Sequence, residues 1–141
     1  MYSLTTEQSF DAAHFLKGYD GKCSALHGHR WRVLIELRRA TLQTSGPKRG
    51  MLLDFGEVKA ALQQLCDHLD HCLIYERGSL RPTTVAALTD EGFRLVEVDF
   101  TPTAEHFARY FYEQMCRRGF PVHRATVYET PNNCAAYEED A

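Results

Sequence analysis

An α+β domain built on one antiparallel sheet is the fold class this sequence predicts, and two patterns carry the prediction. Near both ends of the chain, side-chain character alternates at every second residue, as in half-buried strands. Between those ends, apolar residues return at helical spacing in two long segments. Nothing repeats at a fixed period and no linker divides the 141 residues, so a single domain spanning 1–141 is expected.

Taken in order, Tyr2, Leu4, Thr6, Gln8, Phe10, Ala12 and His14 share one parity and form a first strand that delivers His14 at its end. Gly18-Tyr19-Asp20-Gly21 is a loop. The second strand starts at His29, with Trp31, Val33, Ile35 and Leu37 on the histidine's face and Arg30, Arg32, Glu36 and Arg38 opposite, joined there by Leu34. Thr44 to Gly50, around Gly46-Pro47, is a turn, after which Met51-Leu52-Leu53 is expected to resume pairing. Asp54-Phe55-Gly56-Glu57 carries the residue types of a capping box, and Phe55, Val58, Leu62, Leu65 and Leu69 continue it as a helix to about Asp67. Thr83 to Gly92 predicts a short helix and Phe93 to Val98 a short strand. Thr101-Pro102-Thr103-Ala104-Glu105 opens a second long helix with a threonine cap and a first-turn proline; Phe107, Tyr110, Phe111 and Met115 share one face, and Gly119 and Pro121 end it. Ala125 to Glu129 and Cys134 to Tyr137 are closing strands around a Pro131-Asn132-Asn133 turn. The expected sheet is therefore four-stranded and antiparallel, with two helices between strands two and three covering one face. Its other face and its edges call for self-association.

Composition removes several function classes. The formal net charge of −3 gives no whole-protein attraction for nucleic acid or anionic membranes. No segment is long and apolar enough to span a bilayer, and Met1 to Glu7 lacks the basic-then-apolar pattern of a secretory leader, so a cytoplasmic protein is expected. Five cysteines, an odd number without a Cys-x-x-Cys pair, fit a reducing compartment. Cys66, Cys72, Cys116 and Cys134 are then expected to be mostly plain small apolar residues.

The chemistry concentrates in Cys23-Ser24-Ala25-Leu26-His27-Gly28-His29. Two histidines flanking one glycine at the mouth of a strand project to the same side, and His14 at the end of its own strand is placed to complete a tripod. Three imidazoles without a fourth protein ligand are the pattern of a catalytic zinc, which keeps one position open. Cys23 is either that fourth ligand, closing a structural site, or a thiol beside the metal poised for reaction. Asp70-His71 pairs a carboxylate with an imidazole for proton transfer, against the alternatives of a surface turn and of Asp67-His68 as the working pair. Glu129, ending an apolar strand, is either a carboxylate at a pocket mouth or a solvated strand end.

Six separated motifs together resemble one family in order and over nearly the whole chain: Phe10-Asp11-Ala12-Ala13-His14, Cys23-x3-His27-Gly28-His29, Leu53-Asp54-Phe55-Gly56-Glu57-Val58-Lys59, Leu69-Asp70-His71, Pro102-Thr103-Ala104-Glu105 and Tyr128-Glu129-Thr130. The family is that of the 6-pyruvoyl-tetrahydropterin and 6-carboxytetrahydropterin synthases. The resemblance implies the T-fold, whose subunits join their sheets into a barrel, commonly a homohexamer of two trimers with active sites between subunits. It implies zinc on His14, His27 and His29, Cys23 as catalytic thiol, Asp70 and His71 as the proton-transfer pair, and Glu129 on the pterin ring, with Thr103 also counted among substrate-binding residues. The three-residue spacer after Cys23 is similar to the bacterial 6-carboxytetrahydropterin synthases of queuosine biosynthesis, whereas the animal 6-pyruvoyl enzymes usually have a longer one. The implied reaction converts 7,8-dihydroneopterin triphosphate to 6-carboxytetrahydropterin with loss of acetaldehyde and triphosphate. Pyruvoyl chemistry, or pterin binding without turnover, are the alternatives. The 30 residues between His71 and Pro102 depart from the pattern expected of the bacterial enzymes, and the segment at about 78–98 is read as a family-atypical insertion.

Overall fold

A computed structural model describes residues 1–140. The frame is a long hairpin of β1 (Tyr2–His14) and β2 (His27–Arg39), paired without a break from Tyr2 opposite Arg39 to His14 opposite His27. Because strand side chains alternate, this register puts Phe10, His14, His29 and Trp31 on one face and Glu7, Asp11, Arg30 and Arg32 on the other. The second strand thus begins two residues before His29, so both histidines of the His-Gly-His element lie in the ladder.

On one side, β5 (Val122–Thr130) and β6 (Asn133–Tyr137) extend the sheet antiparallel, as the alternation predicts. The other side corrects the expected four-stranded antiparallel sheet. There β3 (Cys72–Glu76) pairs parallel to β1, and β4 (Leu95–Val98) parallel to β3, giving a six-stranded mixed sheet of order β4-β3-β1-β2-β5-β6. Strand β3 escapes a period-two reading because Cys72, Ile74 and Tyr75 are all buried, so its apolar residues run together. Parallel strands need a crossover, and the short helix α2 (Pro82–Asp90) supplies it between β3 and β4. Residues 78–98 are thus part of the sheet's edge.

The helix α1 (Phe55–Leu69) runs two residues further than expected, because Leu69 is fully buried. Asp54 caps it by accepting the Gly56 N–H at 2.8 Å, but the Glu57 carboxylate goes to Lys48 and does not complete the box. Met51–Leu53 form no strand; that loop is closed by Gly50 N–H to Gln43 O at 2.8 Å and Gln43 N–H to Met51 O at 3.0 Å. The last helix, α3 (Ala104–Arg117), is capped by Thr103, whose hydroxyl accepts the His106 N–H at 3.3 Å.

Both long helices lie on the Phe10 face. Phe10 stacks on Trp31 at 6.1 Å between ring centres, and Trp31 meets Phe107 edge-on at 4.9 Å, with Val58, Leu62 and Phe111 completing the core. Each such side chain contributes about 1.5–3 kcal/mol by leaving water, so this cluster stabilises the strand ends that carry the histidines. No helix of the described chain is long and apolar enough to cross a membrane. The opposite sheet face is polar: Arg30 pairs with Asp11 at 2.9 Å, Arg32 with Glu7 at 3.3 Å, and Arg32 lies 3.9 Å above the Tyr128 ring.

Candidate metal centre and the adjoining clefts

The hairpin register decides the centre. His14 and His27 are its last cross-strand pair, and His29 follows on the same face opposite Ala12. On β5, Ala125 and Val127 point into the core, and Glu129 continues their parity toward the imidazoles. As a result His14, His27, His29 and Glu129 each offer one donor atom within 4.8 Å of the others. Trp31 forms the floor, 4.9 Å from the His14 ring and 5.3 Å from the His29 ring.

Hydrogen bonds assign the ring protons. His14 Nδ1 donates to the Pro102 carbonyl at 2.7 Å, and His27 Nδ1 donates to the Ala25 carbonyl at 2.7 Å; a carbonyl only accepts, so both Nδ1 atoms carry hydrogen. In the neutral rings both Nε2 atoms are then bare, yet they face one another at 3.1 Å. His29 Nε2 is buried without a hydrogen-bond partner, with Glu129 Oε1 3.0 Å away. Lone pairs converging in a desolvated pocket repel unless a cation lies among them. This donor set, with carbonyls behind two of the imidazoles, fits a metal site accepting nitrogen and oxygen ligands, zinc among them. Burial holds His14 and His29 below the ordinary imidazole pKa, with the neighbouring His27 acting in the same direction, which favours the neutral form that a metal needs.

A second cluster forms where β1 meets the end of α1. Asp70 Oδ1 accepts the Asp11 N–H at 2.8 Å, its Oδ2 lies 2.8 Å from His71 Nδ1, and His71 N–H donates to Asp11 O at 2.6 Å. The Asp11 amide, and after it His71, hold the Asp70 carboxyl below the usual carboxylate range. With Nδ1 taken by Asp70, Nε2 is the His71 nitrogen left for a ligand. His71 is the one non-glycine residue with positive φ among the described residues, at 56°. Arg94, from the segment read as an insertion, ties this turn down by donating to Asp70 O at 2.8 Å and His68 O at 3.3 Å. Asp67 instead accepts from Gln63 at 2.7 Å, so Asp70-His71 is the bonded pair and Asp67-His68 is not.

Two clefts open on the polar side and meet at His29 and Arg30. One, of about 620 Å³, is lined by His71 and Arg94 together with Leu26, Leu88, Phe93 and Leu95. The other, of about 600 Å³, is lined by Arg32, Tyr128, Glu129 and Thr130. Cys23 lies half-buried in a short 3-10 turn, Lys22–Ser24, where its carbonyl accepts Leu16 N–H at 2.9 Å. Its sulfur is outside the His/Glu cluster, and no hydrogen bond ties it to Asp70 or His71 among the described residues. The fourth donor beside the histidines is therefore Glu129 and not Cys23. Thr103 uses its hydroxyl as the α3 cap and lines neither cleft.

Sequence reasoning missed Arg94, Trp31 as the floor, and the Pro102 carbonyl that orients His14. Only Glu129's membership of the cluster had a legible signal, its parity with Ala125 and Val127.

Comparison with known proteins follows the same lines. A family model described as 6-pyruvoyl tetrahydropterin synthase matches residues 3–140. The chain is 32% identical to the 6-carboxy-5,6,7,8-tetrahydropterin synthase of Haemophilus influenzae over 99% of this chain and 100% of that protein. It is also 32% identical to the Synechocystis protein of the same description, over 97% of this chain and 93% of that one. Among solved structures, the Caenorhabditis elegans 6-pyruvoyl tetrahydropterin synthase is similar in fold, with a TM-score of 0.69 at 22% identity, covering 99% of this chain and 96% of that one.

Proposed function

The chain belongs to the 6-pyruvoyl tetrahydropterin synthase family, and on that premise we propose that it is a zinc-dependent 6-carboxytetrahydropterin synthase. It would convert 7,8-dihydroneopterin triphosphate to 6-carboxytetrahydropterin, releasing acetaldehyde and triphosphate. The observation that carries the proposal is the convergence of His14, His27 and His29, the first two with bare Nε2 atoms, beside clefts that hold His71 and Glu129. The bacterial relatives named as carboxy enzymes favour that product over the pyruvoyl one.

Each residue then has a task. His14, His27 and His29 hold the metal, which when bound polarises the hydroxyls of the substrate side chain. Cys23 removes a proton from carbon as thiolate. His71 carries protons at Nε2, with Asp70 accepting from Nδ1 and stabilising the imidazolium that forms. Glu129 can accept two parallel hydrogen bonds from the amino and ring N–H groups of a pterin. Leu26, Leu88 and Phe93 give the cleft beside His71 an apolar wall against which a flat ring can pack.

The assembly is proposed to be a hexamer of two trimers. Its support is the sheet face that neither long helix covers and the two open edges, β4 and β6. Light scattering is expected to give a multiple of three subunits, and a monomer at working concentration counts against this assembly.

The reaction is tested by incubating the zinc-loaded protein with 7,8-dihydroneopterin triphosphate and identifying the products by mass. A carboxy product supports the proposal and a pyruvoyl product replaces it with the sister chemistry. Unchanged substrate that nevertheless binds leaves a pterin-binding module.

A further inference from the structure

We propose that Glu129 is the fourth ligand of the metal while no substrate is bound, and that a pterin draws its carboxylate away, so that the ligand itself opens the site. The inference rests on the metal-dependent pterin reading above and adds to it a closed resting state.

The distances carry it. Bonds of about 2.0–2.1 Å in a tetrahedron require donor atoms about 3.3–3.4 Å apart along each edge. Here His14 Nε2 to His27 Nε2 is 3.1 Å, His29 Nε2 to Glu129 Oε1 is 3.0 Å and His14 Nε2 to Glu129 Oε1 is 3.5 Å. One carboxylate oxygen therefore stands on two edges of a ligand-sized polyhedron. For His14 no proton explains the approach of this oxygen in the neutral tautomer, because Nδ1 already spends its hydrogen on Pro102, leaving Nε2 bare toward both His27 and Glu129. A bare nitrogen facing a carboxylate oxygen is repulsive until a cation lies between them.

The same side chain borders the second cleft with Tyr128, Arg32 and Thr130. Bidentate recognition of a pterin's adjacent N–H groups engages both carboxylate oxygens in one plane. Serving the metal and serving the ring then compete for Oε1. Pterin binding resolves the competition by moving the carboxylate onto the ring and freeing one metal position for the substrate hydroxyls. A resting centre closed in this way also admits no adventitious anion to the open position.

The test uses zinc and cobalt(II) titrations of the full chain, with 6-methyl-7,8-dihydropterin as a probe that has the ring but no side-chain hydroxyls. Glu129→Gln is expected to weaken zinc binding by at least about 10-fold, in the range seen when groups supporting a metal site are lost. Its cobalt visible spectrum should differ from that of the unaltered protein. Adding the probe to the unaltered cobalt protein should shift its spectrum, although the probe cannot reach the metal by hydroxyls, and should leave the variant's spectrum in place. Equal zinc affinity and identical spectra for the two proteins overturn the fourth-ligand assignment. An unaltered protein whose spectrum ignores saturating probe overturns the exchange, and this arm needs no variant to fold. Zinc that binds but does not depend on Glu129 sinks this inference alone. A protein that binds no zinc sinks the functional proposal with it, and one that passes these tests without turning over the triphosphate keeps the inference and loses the reaction.

Discussion

His27→Ala empties the metal site. Purified wild-type protein is expected to hold about one zinc per chain, and the variant to lose at least about 10²-fold in affinity, beyond the 10–100-fold that a supporting group alone is worth. Turnover should vanish with the metal. The fold should survive, because the core rests on Phe10, Trp31, Phe107 and Phe111, while His27 itself is only half-buried at the hairpin's end. Zinc by elemental analysis, with far-UV circular dichroism on the same sample, checks both halves. Stoichiometric zinc in the variant defeats the tripod. Acid offers a second view of the same site. Since burial keeps His14 and His29 below the ordinary 6.5, protons begin to displace the metal from them only below that value, so zinc should be retained past the pH at which an exposed imidazole would have charged.

Cys23→Ala separates chemistry from structure. If the thiol is the base, the product rate falls by at least about 10²-fold, the scale of a lost general base. Zinc content and melting temperature should stay at wild-type values, because Cys23 is tied to its surroundings by its backbone carbonyl and its sulfur lies outside the donor cluster. A thiolate ligand predicts the opposite outcome, since losing it removes metal and the folding free energy that comes with metal. Unchanged turnover with intact zinc would move the search for the base to His71.

Most of the architecture was legible where a sequence pattern has one clear period. β1, β2 and β5 each bury one face and β6 turns Ala135 and Tyr137 toward the core, so polar and apolar residues alternate and their existence can be read directly. α1 and α3 present amphipathic stripes with recognisable caps at Asp54 and Thr103. β3 was not legible because Cys72, Ile74 and Tyr75 are all buried, which replaces alternation with a continuous apolar run. Without it, β4 had no partner and the parallel edge could not be foreseen. At the site, the His27-Gly28-His29 spacing and the strand end at His14 were sufficient to gather three imidazoles. Arg94 was beyond reach, because its role depends on carbonyls at His68 and Asp70 that only the completed edge brings under it.

The hairpin's closing pair, His14 opposite His27, divides the labour of the region between two kinds of chain. The imidazoles stand on a ladder whose register is fixed by every pair from Tyr2–Arg39 onward. Cys23 hangs in the loop between them. A residue added or removed between Lys17 and Cys23 therefore changes where the sulfur arrives without displacing the three rings, provided Ala25 still receives the His27 N–H. A change in that loop can thus alter the reach of the thiol while strand pairing alone keeps the three imidazoles together.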